Sequence, residues 1–385
     1  LRVELGRIYR QRGELKEAHR QLLSAVFGIP GEGLPNLELG RLHEQKGELL
    51  RARGRYLVAM LDSRDTGEAG MASLERVHRF LVEQTGEPPL LRYLQDALEG
   101  RAPALHPLPR PEDRPAPSGK VLLVELFTGA HCPPCTGADM AIDALGEHFG
   151  AREVAVITWH LPIPAPEPLV NPDSLARAAA LGFRATPSVF FHGKPFRGGG
   201  SADAASKLFA DYTKAAEKEL ALAPEATLVG AAFLENDTVS VRLETDAEQG
   251  RLHAVLVEEV VAYPGRNGVI LHQHVARMSL TPPDGSAVAG LSPPAKDPGQ
   301  STSPAREWVT ALPRSTAASR AERALNELEA RGARFPLRPV DPDPQRLAIV
   351  AWLADGSGRP VQALHLKVQS GDSQNAPSAQ PRDNR

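Results

Sequence analysis

Val121–Cys135 reads VLLVELFTGAHCPPC, and the order of its parts decides how the middle of the chain folds. Val121 to Phe127 is a nearly continuous apolar run, as a strand buried on both faces requires. A short loop follows and delivers Cys132 to the first turn of a helix. Unpaired N–H groups and the helix dipole there favour a thiolate over a thiol. The Cys-x-x-Cys spacing lets the second sulfur resolve a mixed disulfide formed on the first. Cys132 is therefore expected to be the attacking residue, the more exposed of the two, and Cys135 its buried resolving partner. The chain has 2 cysteines in all, too few for a disulfide framework or for a four-ligand zinc site.

Working outward, a helix with Met140, Leu145 and Phe149 on one side is expected after the cysteines, then a second buried strand at Val154–Trp159. A proline-studded loop, Leu161–Pro172, leads to a short helix from Asp173 that Gly182 ends. Ser188–Phe191 and Pro195–Arg197 form a hairpin across His192-Gly193-Lys194, and a long helix from Ser201 closes the segment. The order is β-α-β-α-β-β-α, with the first two strands parallel and the last two antiparallel.

With Cys-x-x-Cys on a strand–loop–helix, and Arg184-Ala185-Thr186-Pro187-Ser188 ahead of the hairpin, residues 119–223 resemble the thioredoxin superfamily. The resemblance implies thiol–disulfide exchange at Cys132 and Cys135 on protein disulfide or dithiol substrates, without a cofactor. It also implies a cis Thr186–Pro187 bond, with Pro187 packed against the cysteines and the Thr186 backbone offered to a substrate chain. Two features depart from that family. Leu126 stands where it has a buried carboxylate, and strand alternation puts Glu125 on the opposite face. Pro133 and Pro134 supply no N–H, so a milder lowering of the Cys132 pKa is expected. The alternative is an interaction or scaffold protein with a redox-inert thioredoxin fold, because a shared fold does not carry its chemistry along.

Residues 1–100 are Leu/Ala-rich, helical in pattern and repetitive. Leu5-Gly6-Arg7 recurs as Leu39-Gly40-Arg41, Gly13-Glu14-Leu15 as Gly47-Glu48-Leu49, and Ala18 as Ala52, at an offset of 34. With Tyr9, Leu22 and Pro30 in one copy, the pattern resembles the tetratricopeptide repeat. Arg2 and Asn36 depart from it, as do His43 and Arg64. A helical stretch from Met71 to Leu98 is expected to cap the array, and further copies to precede Leu1. The resemblance implies a protein partner on the repeats; a plain helical hairpin is the simpler alternative.

Six prolines between Arg101 and Ser118 mark a linker, 101–118. Beyond Pro224 strands dominate: Thr227–Leu234, Thr238–Leu243, Leu252–Tyr263, Val269–Ser279, Leu347–Leu353 and Val361–Val368, with one helix at Ala317–Arg331. Residues 224–369 are expected to form a β-sandwich with an inserted helix, Gly285–Pro304 a long loop, and 370–385 a disordered tail. The expected class is thus multidomain α+β: α-helical repeats, a thioredoxin-like α/β domain and a β-sandwich. The Glu125-Leu126-Phe127-Thr128-Gly129 motif is similar to one in bacterial exported proteins. With Val257-Glu258-Glu259 and His274-Val275-Ala276-Arg277, the chain also resembles bacterial outer-membrane proteins that join a thioredoxin-like domain to a sandwich.

The remaining signals are weaker. His131 either stabilises the thiolate as a cation or is a loop residue. Trp159-His160, and the strand histidines His253, His272 and His274, favour packing over a groove or a metal site. Gly198-Gly199-Gly200 has no lysine after it, which excludes a phosphate loop and favours a hinge. A net charge of −3 over 385 residues gives no footprint for nucleic acid. No apolar run is long enough to span a membrane. A chain whose only cysteines form a local pair suits the periplasm or cell surface better than the cytoplasm. The sequence opens on Leu1 without a methionine, so the absence of a targeting segment from it carries no weight.

Overall fold

Leu and Ala at helical spacing build the first elements: α1 (Arg2–Gln11), α2 (Leu15–Gly28), α3 (Gly33–Gln45), α4 (Leu49–Leu61), α5 (Gly67–Thr85) and α6 (Leu90–Leu98). The computed structural model describes residues 1–29, 31–62, 65–98, 119–292 and 306–371. The linker expected at 101–118, Pro30 and Arg64 of the repeat pattern, and most of the tail lie outside the described residues, as does the loop beyond residue 292. The 34-residue repeat is physical. A Cβ on Gly6 would stand 2.5 Å from Leu22 Cγ, and one on Gly40 2.6 Å from Tyr56 Cε1, so both glycines admit the facing helix at equivalent sites. Ala18 and Ala52 are fully buried, and Gly13 and Gly47 make the turns at φ 78° and 74°.

The described residues fall into two compact units, and neither follows the expected boundaries. The helical unit takes in Ala262–Leu271 and Arg334–Arg338 as well as α1–α6. Within it the buried Tyr263 hydroxyl donates to Glu68 on α5 (2.8 Å), a contact invisible to a reading of residues 1–100 alone.

The second unit contains β1 (Leu122–Thr128), α7 (Thr136–Phe149), β2 (Val154–His160), α8 (Pro172–Ala180), β3 (Ser188–Phe191), β4 (Lys194–Phe196) and α9 (Ala205–Leu220). It continues with β5 (Leu228–Glu235), β6 (Thr238–Thr245), β7 (Arg251–Ala262), β8 (Leu271–Ser279), β9 (Ser286–Ala287) and β10 (Arg306–Pro313), the last residue of β7 and the first of β8 counting with the helical unit. Then come α10 (Arg314–Ala330), β11 (Leu347–Ala354), β12 (Pro360–Lys367) and β13 (Gln369–Ser370). β1 and β2 are parallel and β3–β4 antiparallel, as the order of elements predicts. The strand β10 was not expected. Gln369–Ser370, read as the edge of a disordered tail, pairs with the otherwise open edge of β5.

The expected division at 223/224 is crossed by hydrogen bonds. A nine-stranded sheet runs β12-β11-β7-β8-β2-β1-β3-β4, with β9 on β7, so strands from both segments share it. Laid flat, β12 and β1 would stand about 24 Å apart. Instead Ala363 N donates to Val121 O (3.2 Å) and Val121 N to the Gln362 side chain (2.9 Å), so the sheet curls until these strands meet. The cause is legible in β11, LAIVAWLA, buried at every position. Ala348, Val350 and Trp352 join Leu123, Phe127, Ile157 and Trp159 in one apolar layer. Leu347, Ile349 and Leu353 join Val239, Val241 and Leu243 of the second sheet, β10-β6-β5-β13, in another. A third layer packs α7 and α9 on Leu122, Val124 and Leu126. The architecture is mixed α+β, with helices and two sheets.

Candidate functional site

β1 ends at Thr128, and the chain turns through Gly129, where a Cβ would stand 2.5 Å from Ile163 O. Only glycine lets the loop pass the proline-rich 161–171 segment this closely. Cys132 N then donates to Gly129 O (2.9 Å), and Cys135 N to Cys132 O (3.0 Å), in a short 3-10 turn, Pro133–Cys135, that leads into α7. Cys132 and Cys135 form a disulfide with Cα atoms 5.3 Å apart.

The Thr186–Pro187 bond is cis. Thr186 Oγ1 lies 3.4 Å from Cys132 Sγ and 3.3 Å from Ile163 O, both within reach of its single proton. The glycine run is the third wall. Gly200 N donates to Pro134 O (2.8 Å) and Gly137 N to Gly200 O (2.9 Å). A Cβ on Gly199 would sit 3.5 Å from Pro187 Cγ. Gly198–Gly200 therefore ties the cysteine loop beside Pro187, a part beyond the hinge read from sequence. Its signal was present, since consecutive glycines before a helix mark a close backbone approach.

Cys132, at 2 %, is the more exposed of the two cysteines and Cys135 is fully buried, but both are enclosed while Pro133 and Pro134 face solvent. The Thr186 side chain, its hydroxyl 3.4 Å from Sγ, covers part of Cys132. His131 is likewise buried, not a solvent-facing loop residue.

Strand alternation places Glu125 as predicted. Leu126 packs with Ala138 and Ile142 under α7, whereas Glu125 lies on the other face, fully buried. There it accepts both arms of Arg177 (2.7 and 2.8 Å) and the Trp159 indole (3.1 Å). His160 contacts Glu167 through Nδ1 (2.9 Å), so the Trp159-His160 pair is packed inside, not lining a groove. His253 stacks on Trp352, His272 meets the His160 ring edge-on, and His274 meets His365. The three strand histidines therefore do not converge. Among the described residues no group of His, Cys, Asp or Glu is arranged to hold a metal. No described helix is long and apolar enough to cross a membrane.

The first-turn amides near Cys132 are already committed: Cys135 N to Cys132 O, Thr136 N to Pro133 O and Gly137 N to Gly200 O. The Thr186 hydroxyl is a donor within reach of Sγ, 3.4 Å away. In the reduced protein, Thr186→Val is expected to raise the Cys132 thiolate pKa by roughly one unit, the worth of a shared hydrogen bond to a charged sulfur. Thr186→Ser is expected to retain the wild-type value. The pH dependence of alkylation measures both, and an unchanged pKa in the valine variant contradicts the assignment.

No family model matches the chain, and no curated protein matches it. Two solved structures overlap it at 14% identity. HBP35 of Porphyromonas gingivalis has a TM-score of 0.46, covering 68% of this chain and 80% of that one. Protein AGR_C_4864 from Agrobacterium tumefaciens has a TM-score of 0.38, covering 69% and 100%. Overlaps of this size name no family. What the chain presents is a mixed α+β fold with a buried Cys132–Cys135 disulfide at the head of α7.

Proposed function

We propose that the protein is a thiol–disulfide oxidoreductase acting on protein disulfides through Cys132 and Cys135, carried by a thioredoxin-like arrangement of residues 119–223. The observation that carries this reading is the gathering of three segments about the disulfide loop. Thr186 Oγ1 lies 3.4 Å from Cys132 Sγ, and Gly200 is bonded to the same loop at Pro134 and Gly137, with Gly199 beside Pro187. Thr186 and Pro187 form the partly exposed edge on which a substrate chain would lie. The helical hairpins, read as tetratricopeptide repeats, would bind a partner protein, and a periplasmic or cell-surface location suits the cysteine usage.

Turnover tests the proposal. With a small thiol as reductant, the protein is expected to reduce insulin disulfides well above the uncatalysed rate. The 2 % exposure of Cys132 favours a second reading, an inert disulfide inside an interaction protein. A rate equal to the thiol background, with the Cys132–Cys135 bond surviving the reductant, selects that reading instead.

A further inference from the structure

A dithiol that attacks and then closes must lose the proton of its second thiol inside the fold. β1 offers no carboxylate for this. Leu126 is apolar, and Glu125 is held by Arg177 on the far face. Another buried carboxylate stands on α7. Cys135 already has helical backbone angles (φ −82°, ψ −26°), and Asp139 follows one turn later, so both lie on the same side of the helix. Residues so spaced have Cβ atoms about 6 Å apart, a gap that thiol and carboxylate bridge directly or through one water.

We propose that Asp139 accepts the proton of the Cys135 thiol, taking the place of the carboxylate that β1 lacks, with His160 and Glu167 as the polar bed behind it. This rests on the redox reading above. Each element packed there contributes a group. Thr128 ends β1 and is the register neighbour of His160 on β2. His160 Nδ1 lies 2.9 Å from Glu167 Oε1, both side chains fully buried, and Glu167 Oε2 is fixed by Leu169 N (2.9 Å). His272 of β8 meets the His160 ring at 5.1 Å. Asp143 on α7 and Tyr212 on α9 complete the electrostatic surroundings. Burial pushes the Asp139 carboxyl up to about 7, with Glu167 adding to the rise and the Thr128 hydroxyl and His160 opposing it. The group therefore exchanges a proton near neutrality.

The step balances. The Cys132 thiolate attacks a disulfide R–S–S–R′, forming Cys132–S–S–R and expelling R′S⁻. Asp139 carboxylate takes the Cys135 proton, and the new thiolate attacks Cys132 Sγ. The Cys132–Cys135 bond forms, the bond to R breaks, and RS⁻ takes a proton from solvent. The substrate gains two electrons and the dithiol loses two.

The test follows reduced protein with oxidised glutathione, acid-quenched and weighed by mass spectrometry at several pH values. In wild type the glutathione adduct on Cys132 is expected to resolve with a rate that rises through pH 7. In Asp139→Asn, adduct formation is expected to be unchanged, resolution slowed on the order of 100-fold, and the inflection near 7 lost. Resolution of the variant at the wild-type rate overturns the proposal while leaving the redox reading intact. A wild type that stays fully reduced, forming neither the adduct nor the Cys132–Cys135 disulfide, overturns both. Should the asparagine variant not fold, the wild-type profile decides, because a flat profile across pH 7 excludes Asp139.

Discussion

Cys135→Ser is expected to leave substrate chains covalently attached to Cys132, whereas Cys132→Ser reduces exchange to the uncatalysed level. The asymmetry follows from burial. Cys132 keeps a trace of exposure beside the solvent-facing prolines, while Cys135 has none, so an incoming sulfur reaches Cys132 first. Cys135 can act only after a mixed disulfide has formed, and with its Cα 5.3 Å from that of Cys132 it needs no domain motion to do so. Serine there leaves the mixed disulfide without an internal nucleophile, since its hydroxyl is not a useful attacking group near neutral pH. Non-reducing electrophoresis and mass spectrometry of the trapped species measure the outcome. Trapping that is equal in both variants, or absent in both, contradicts the assigned order. The same enclosure makes a second result expected: small disulfides react faster than folded protein disulfides, because the Thr186 side chain must move aside for a bulky chain.

Arg177→Leu is expected to destabilise the strand unit by about 3–5 kcal/mol, the cost of leaving a buried charge without its partner. Glu125 is fully buried at the centre of β1, and its carboxylate is held by two guanidinium bonds from α8 and one indole N–H from β2. The guanidinium also stacks 4.9 Å from the ring centroid of Trp352 on β11, so one side chain links the cysteine strand to the far limb of the curled sheet. Replacing the pair together by Leu is expected to recover most of the loss, because the buried charge and its desolvation then disappear with it. Urea unfolding of the two single variants and the double variant gives the coupling energy. A single-variant loss below about 1 kcal/mol, the range of an exposed pair, contradicts the account.

Much of this was legible in the chain. The apolar run before Cys132, the loop and the helix after it follow from local pattern, and so do the opposite faces of Glu125 and Leu126. The 34-residue period carries its own mechanism, since Gly6 and Gly40 sit against Leu22 and Tyr56 at matching sites. The misreadings share a cause. β11 reads LAIVAWLA, and a sandwich strand with one face in water would alternate, so its unbroken apolar run was the available sign that both faces are covered.

Local spacing fixes which face of an element a side chain occupies, because the backbone repeats every two residues in a strand and every 3.6 in a helix. By itself the sequence therefore determined the strand–loop–helix that carries Cys132 and Cys135, the repeat, and the side on which Glu125 lies. The tertiary structure alone decided what those faces meet. Contacts between residues as far apart as Val121 and Gln362, 241 positions, depend on how whole layers pack, which no local period encodes. That packing enclosed Cys132, gave Glu125 its arginine, and set Asp139 before His160 and Glu167.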